Sequence, residues 1–318
     1  HASPTCVLQF GDTIGSTGYI IGEENAGMSA MFTMMNQARL AVGLEGLAVG
    51  DRAYQAALTY ATERQQGQRL HGEKGLSATI IEHPDVRRML MTMKAYLEAL
   101  RCLIYFNAFN VDLAEHSPNE EERRLGQELA DLLTPISKAW GTDLGNEITS
   151  LAMQVHGGMG YIEETGVAQH YRDIRVGAIY EGTNGIQAID LVSRKLPMRN
   201  GGAVNDLIAE IGATVKDLQE AGLTEVADRV EAAAADLLAA GRWLLEKGAG
   251  ESDDGLAGAT PYLRMFGLTI GGWLLAKSAL IAHRLLIENS DSDSFLKAKT
   301  VTAHFYATQL LPQVHLSL

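Results

Sequence analysis

The sequence predicts a mainly α-helical protein: an antiparallel bundle of long helices followed by a helical appendage, with a short β segment near its start. Three observations carry this. Between Gly27 and Arg64, apolar residues recur at helical spacing through Met31, Met35, Leu40, Leu44, Leu47 and Tyr54. A second stripe runs through Val86, Leu90, Met93, Leu97 and Ile104. Beyond residue 200, long alanine- and leucine-rich segments follow one another.

Taken in order, Cys6 to Phe10 and Tyr19 to Ile21 read as strands, separated by a glycine-containing turn around Gly15 and Gly18. Two strands do not make a stable sheet by themselves. In the helix over 27–64, Gly43, Gly46 and Gly50 each weaken it by roughly 1 kcal/mol relative to alanine, a cost that close packing against a neighbour explains. Pro84 after His83 opens the second helix, since a first-turn proline sacrifices no hydrogen bond. Ser117 with Pro118, and Thr134 with Pro135, mark two more starts, and four such helices make an antiparallel bundle. The run PMRNGGAVND after Leu196 is a linker by composition. Helices over Val204 to about Ala221 and Glu225 to Lys247, a polar loop GAGESDDG, and helices from about Pro261 to Glu288 and Phe295 to Leu311 form the appendage.

At 318 residues, 46% hydrophobic and 20% charged, the chain suffices for one large or two ordinary domains with a sizeable core. Its net charge of −13 argues against nucleic acid or an anionic membrane as the main partner. Cys6 and Cys102 are the only cysteines and lie far apart, so no disulfide framework is expected and a reducing, cytoplasmic compartment is. The longest candidate membrane span, Met265 to Ala276, has only 12 uncharged residues before Lys277, short of the roughly 20 a membrane helix needs. It reads as a buried helix. Nine histidines show no H-E-x-x-H spacing and two cysteines make no zinc cluster, so no metal is expected.

The chemistry concentrates between Leu151 and Leu196. Gly157, Gly158 and Gly160 stop the helix that ends near Val155, because glycine takes the backbone angles of a helix C-terminus. Thr165 is a candidate cap for a short helix carrying Arg172 and Arg175, and Thr183 for another running to about Lys195. Glu181 then sits in a turn at a helix entrance, its position fixed and its side chain free to face a cleft.

The segments QVHGGMGY, YRDIR and IYEGTNGIQ resemble the C-terminal half of acyl-CoA dehydrogenases, FAD enzymes that oxidise fatty acyl thioesters. The 27 residues from Gln154 to Glu181 match the family interval between a flavin-binding glutamine and the catalytic glutamate. EGTNGIQ, with Gly185 where many members have glutamine, is most similar to the larger subtype containing 3-methylmercaptopropionyl-CoA dehydrogenases and broad-range bacterial acyl-CoA dehydrogenases. The resemblance divides the chain into a remnant of a middle β-domain (1–26), a C-terminal helical bundle of this family (27–197) and an additional helical domain (198–318). It also implies upstream domains, so that the chain reads as truncated.

By the resemblance, Glu181 is the base for the substrate α-proton, and its backbone N–H helps to hold the thioester oxygen. A minority of the family places its base beside the arginine that Arg39 matches; here that neighbour is Ala38, which favours Glu181. Asn36, Arg39 and Gly182 match acyl-CoA contacts. Arg64, 25 residues after Arg39, matches the arginine that reaches a flavin pyrophosphate across a dimer interface. Gln65, His83, Gln154, Gly157, Gly158 and Thr183 match further FAD contacts. Gly67 stands where many relatives have a flavin-contacting phenylalanine, and the insert GQRLHGEKGLSATIIE separates Gln65 from His83. The implied partners are acyl-CoA, an external acceptor such as an electron-transfer flavoprotein, and a second copy in a homodimer or homotetramer.

Other motif readings fail. HGGMG is similar to the oxyanion motif of lipases, but no G-x-S-x-G supplies a nucleophile. A dinucleotide fingerprint needs a preceding strand and a last glycine where Glu163 stands. Two alternatives to the dehydrogenase stay open: a non-catalytic helical assembly module for the isolated chain, and an acyl-CoA oxidase.

Overall fold

The computed structural model describes residues 4–68, 77–288 and 293–317. Helix α1 (Gly27–Glu63) is followed by a hairpin of β1 (Gln65–Gln68) and β2 (Ser77–Thr79), then α2 (Pro84–His116) and α3 (Glu120–His156). Short helices α4 (Gly158–Tyr161), α5 (Val167–Ile174) and α6 (Asn184–Asp190) lead through a π turn at Leu191–Lys195 to α7 (Gly202–Glu220), α8 (Thr224–Glu246), α9 (Asp253–Glu288) and α10 (Ser294–Phe305).

Helices α1, α2 and α3 run up, down, up. Added Cβ atoms on α1 would meet Ser137 from Gly43, Gly141 from Gly46 and Ile148 from Gly50, so α1 and α3 are parallel; α2 runs against both, with Leu97 beside Gly50 and Ile104 beside Gly43. The glycines of α1 do permit close packing: a Cβ on Gly46 would stand 2.3 Å from the Gly141 carbonyl oxygen.

The bundle departs from the expected four helices. Thr134 and Pro135 do not start one; Pro135 lies buried inside the continuous α3, and the Thr134 hydroxyl donates to the Ala130 carbonyl at 2.7 Å. Tertiary burial of this stretch outweighs the roughly 3 kcal/mol an interior proline costs. The α2 stripe packs into the core as expected, and that of α1 does so in part: Leu47 is buried and Leu40 and Tyr54 pack against the core. Met31 and Leu44 are exposed, and the buried residues of α1 are Val42, Gly43, Gly46, Leu47, Gly50, Ala53, Ala57 and Ala61. Small residues bring the backbones close, and Met31, Phe32, Met34 and Leu44 are left exposed.

The strands expected at 6–10 and 19–21 are absent. Residues 4–26 carry no strand and are exposed, including Val7, Leu8, Phe10, Tyr19, Ile20 and Ile21. A strand needs a neighbour for its N–H and C=O groups, and no described segment lies beside these. The hairpin that does form lies within the 67–82 insert and its approach; residues 69–76 of that insert fall outside the described residues.

Helix α9 starts at Asp253, with Pro261 inside it. It packs on α2, α3, α6, α7, α8 and α10, so one hydrophobic cluster runs from Leu47 to Val314. Gly267 and Gly271 admit the Trp140 ring of α3, and the Trp273 indole N–H donates to Thr214 at 2.9 Å. By length and composition α9 could cross a membrane, but 83% of its most apolar window is buried in the protein. At the linker, Arg199 pairs with Glu128 (2.9 Å) and Asp206 (2.7 Å), tying the corner down.

Candidate active site

The Glu181 turn joins the 3-10 turn at Arg175–Ala178 to α6. Glu181 (φ +58°) and Gly182 (φ +82°) both adopt left-handed backbone angles. Glycine does so freely, but a glutamate held there costs on the order of 1–3 kcal/mol and persists only where its surroundings dictate it. Here they do. The Glu181 carbonyl accepts from Arg39 Nε at 3.5 Å and from Gln187 Nε2 at 3.3 Å. The Gly182 carbonyl accepts from Lys138 Nζ at 2.8 Å and from the same Gln187 Nε2 at 3.3 Å. Both carbonyls are thus engaged from the protein side, while no described group accepts from the N–H of Glu181 or Gly182. Thr183 is the expected cap, its hydroxyl accepting from the Ile186 N–H at 3.3 Å. A side chain on Gly182 would strike Gln187, with Cβ 2.8 Å from Nε2.

Lys138 is fully buried in the middle of α3. Its second partner is Asn184 Oδ1 at 2.9 Å, and the Asn184 amide donates in turn to Asp143 Oδ1 at 2.7 Å and to the Ala139 carbonyl at 3.1 Å. Burial lowers the Lys138 pKa from the usual 10.5 to about 8; Asp143 and Glu181 oppose that shift, and Arg39 adds to it. Burial also pushes the Asp143 carboxyl up, against its bond from Asn184. Next to Glu181, the Tyr180 hydroxyl donates to Glu45 of α1, and burial followed by that carboxylate raises its pKa.

The expected site residues fall into two clusters. Arg39, Glu181, Gly182 and Thr183 are together, and Asn36 lies one helical turn before Arg39, exposed in a groove with Thr33, Gln127 and Asp131. Arg64, Gln65, His83, Gln154, Gly157 and Gly158 gather at the other end of the bundle. There the His83 ring donates from Nε2 to the Gln66 carbonyl at 2.7 Å and lies against Gly67, whose φ is +77°. Tyr60 stacks on His156 with ring centroids 4.5 Å apart, joining the ends of α1 and α3. Gly157, at φ +60°, caps α3, and neither it nor Gly158 has an atom within 4 Å of an added Cβ. Arg64, Gln65 and Gln154 are exposed.

The clusters are far apart. Arg39 and Arg64 are 25 residues apart along α1 and its cap, which at 1.5 Å per residue is ~37 Å. One expected cap is displaced: Gly166 (φ +77°), not Thr165, precedes α5, while the Thr165 hydroxyl donates to the Met159 carbonyl at 2.6 Å. Lys138, Asp143, Asn184, Gln187 and Glu45 belong to the site and were not singled out from sequence. For Lys138 the available signal was one cation inside the apolar run LLTPISKAWG.

The profile of the family described as "Acyl-CoA dehydrogenase, C-terminal domain" matches residues 25–196, and that of "Acetyl-CoA dehydrogenase C-terminal like" matches residues 207–318. The chain is 44% identical to the 3-methylmercaptopropionyl-CoA dehydrogenase of Ruegeria pomeroyi over 98% of its own length and 52% of that protein's. It is 33% identical to a broad-specificity linear acyl-CoA dehydrogenase of Mycobacterium tuberculosis over 98% of its length and 53% of that protein's. The solved acyl-CoA dehydrogenase of Bacillus anthracis, complexed with FAD, shares the fold with a TM-score of 0.71 at 18% identity, covering 93% of this chain and 50% of that one. The chain thus spans about half the length of the curated relatives it matches. The first profile covers more than half of the chain and runs through both clusters, so this chain belongs to the acyl-CoA dehydrogenase family.

Proposed function

We propose that the protein carrying this chain is an FAD-dependent acyl-CoA dehydrogenase in which Glu181 takes the α-proton of an acyl-CoA, yielding a trans-2-enoyl-CoA. The observation that supports this best is the Glu181 turn. A glutamate in a conformation it disfavours is held by donors on both adjoining carbonyls, and its own amide and that of Gly182 are left unengaged. An α-proton of a thioester is weakly acidic, so its removal needs a positioned base and donors at the carbonyl oxygen where negative charge develops. The Glu181 carboxylate is the base, and the Glu181 N–H is such a donor. Arg39, Asn36 and Gly182 hold the acyl-CoA beside them.

The second cluster suits FAD. The backbone at Gly157 and Gly158 is bare, so a phosphate can approach it, and the Arg64 guanidinium and Gln154 amide are exposed to meet it. Gln65, His83 and Thr183 would complete the cofactor contacts. FAD, when bound, supplies the hydride acceptor. The separation of the two clusters favours a flavin shared between copies in a homodimer or homotetramer, with electrons leaving to an external acceptor such as an electron-transfer flavoprotein in the cytoplasm.

The test is Glu181→Gln in the flavin-loaded enzyme. Reductive bleaching by a saturated acyl-CoA is expected to collapse while flavin content is kept, and unchanged bleaching sinks the assignment. Oxygen uptake during turnover separates an oxidase from a dehydrogenase. A second reading concerns residues 1–318 alone. With 4–26 exposed and unpaired, this piece is a helical assembly module and is expected to purify colourless, which a flavin absorption spectrum checks.

A further inference from the structure

We propose that Lys138 is the positioning residue of this site: its buried side chain, through the Gly182 carbonyl and Asn184, fixes the turn that aims the Glu181 carboxylate and its unengaged amides at one thioester. The inference rests on the reading of Glu181 as the base. Three donors from three elements hold the turn: Arg39 from α1, Gln187 from α6 and Lys138 from α3. Arg39 is half-buried and, of the two carbonyls, donates only to that of Glu181, at 3.5 Å. Gln187 contacts both carbonyls at 3.3 Å, with its Oε1 unpartnered among the described residues. Lys138 makes the shortest of these bonds, 2.8 Å, from a wholly buried position.

Its second bond carries the argument further. Asn184 is clamped between Lys138 on one side and Asp143 and the Ala139 carbonyl on the other, so the first residue of α6 is locked onto α3. The turn is therefore pinned on Gly182 and again two residues later. A buried ammonium is a poor way to fill space, because an apolar side chain of similar shape avoids its desolvation cost. Its retention here is explained by what it holds: two acceptors, one on the turn and one on the helix that follows.

Lys138→Met removes both bonds with little change of shape, and Lys138→Gln keeps one donor. In the flavin-loaded enzyme, rapid-mixing reduction over a range of saturated acyl-CoA concentrations separates the limiting rate from the apparent Kd. The limiting rate is expected to fall on the order of 10²-fold in Lys138→Met, as a misplaced base requires, and less in Lys138→Gln. The apparent Kd is expected to stay within about a factor of three, because the groups that bind the thioester's carrier are untouched. Hydrogen exchange gives a readout independent of activity: the Ile186 and Gln187 amides, both bonded to Thr183, are expected to exchange faster in Lys138→Met while those of α1 do not. An unchanged limiting rate, unchanged exchange, or loss of flavin and folding in both variants overturns the inference. Glu181→Gln is run in parallel: if it bleaches normally the reading of the base fails, and if it is inactive while Lys138→Met is normal only the role of Lys138 fails.

Discussion

Arg39 and Glu181 meet across 142 residues of sequence, and they meet through the backbone: the guanidinium Nε donates to the glutamate's carbonyl at 3.5 Å. The arginine therefore holds the residue while leaving its carboxylate free. Arg39→Lys keeps the charge but loses the planar fork, and Arg39→Ala loses both. A hydrogen bond to a charged group contributes roughly 1.5–3 kcal/mol, so Arg39→Ala is expected to slow flavin reduction roughly 10- to 100-fold. Arg39→Lys should fall between, as measured by rapid-mixing bleaching with acyl-CoA.

The glycines of the α1–α3 crossing make a stability prediction. At Gly46 an added Cβ meets the Gly141 carbonyl at 2.3 Å, and backbone there has no freedom to yield. Gly46→Ala is expected to destabilise by about 1–3 kcal/mol or more. Gly212 in α7 has nothing within 4 Å of an added Cβ, and Gly212→Ala should stabilise by roughly 0.5–1 kcal/mol through helix propensity alone. Urea denaturation of the two variants reads the opposite signs. Similar effects at both positions would show that α1 and α3 are not closely packed.

Lys138 makes stability depend on pH, and the sign follows from its depressed pKa. It titrates at about 8 in the folded chain against 10.5 for an ordinary lysine. Below both values the two states are equally protonated and the cost of burying the charge is fully present. Between about 8 and 10.5 the unfolded state holds more protons, so the contribution of Lys138 to stability rises with pH. Above that window the cost is gone. The expected result is that the wild type gains on Lys138→Met as pH rises from 8 to 10.5, measured as the difference between their urea midpoints. A difference that is flat across this window shows that the amine is not buried as a cation.

How much of this was legible in the chain depends on how local each feature is. Thr183, Glu181 and the glycine exit at Gly157 lie in contiguous motifs, and capping and left-handed backbone are properties of a few neighbouring residues. Lys138 lies 44 residues before Gly182 in the sequence, and only the packing of α6 on α3 brings them together. The same holds for Glu45 and Tyr180, 135 residues apart. The fold misled where strong local signals lost to tertiary context. Pro135 sits inside α3 although proline is a stop signal, and the strands expected at 6–10 and 19–21 have no partner. On α1 the periodic stripe is split: Met31 and Leu44 are exposed while Leu47 is buried and Leu40 and Tyr54 pack against the core, because the closest contacts of the helix run through glycine and alanine.

Those exposed residues and the distance between the clusters lead to the prediction on assembly. Arg64 and Gln154 lie at the end of the bundle where α1 and α3 terminate, ~37 Å along the helix from Arg39, so under the proposed function their flavin contacts are expected to serve the Glu181 of another copy. On the first half of α1, Met28, Met31, Phe32 and Met34 are exposed, which fits a surface that a second copy would cover. If each flavin is held by Arg64 of one copy and used by Glu181 of another, defects in the two clusters should complement. Glu181→Gln lacks the base, and Arg64→Ala has a weakened cofactor site. Co-expressed and purified as mixed oligomers with two different tags, they are expected to regain acyl-CoA bleaching well above either variant alone, since one site in each mixed pair has both clusters intact. Mixed oligomers no more active than their parents would show that flavin and base belong to the same chain, and a monomer by light scattering at micromolar concentration would count against sharing altogether.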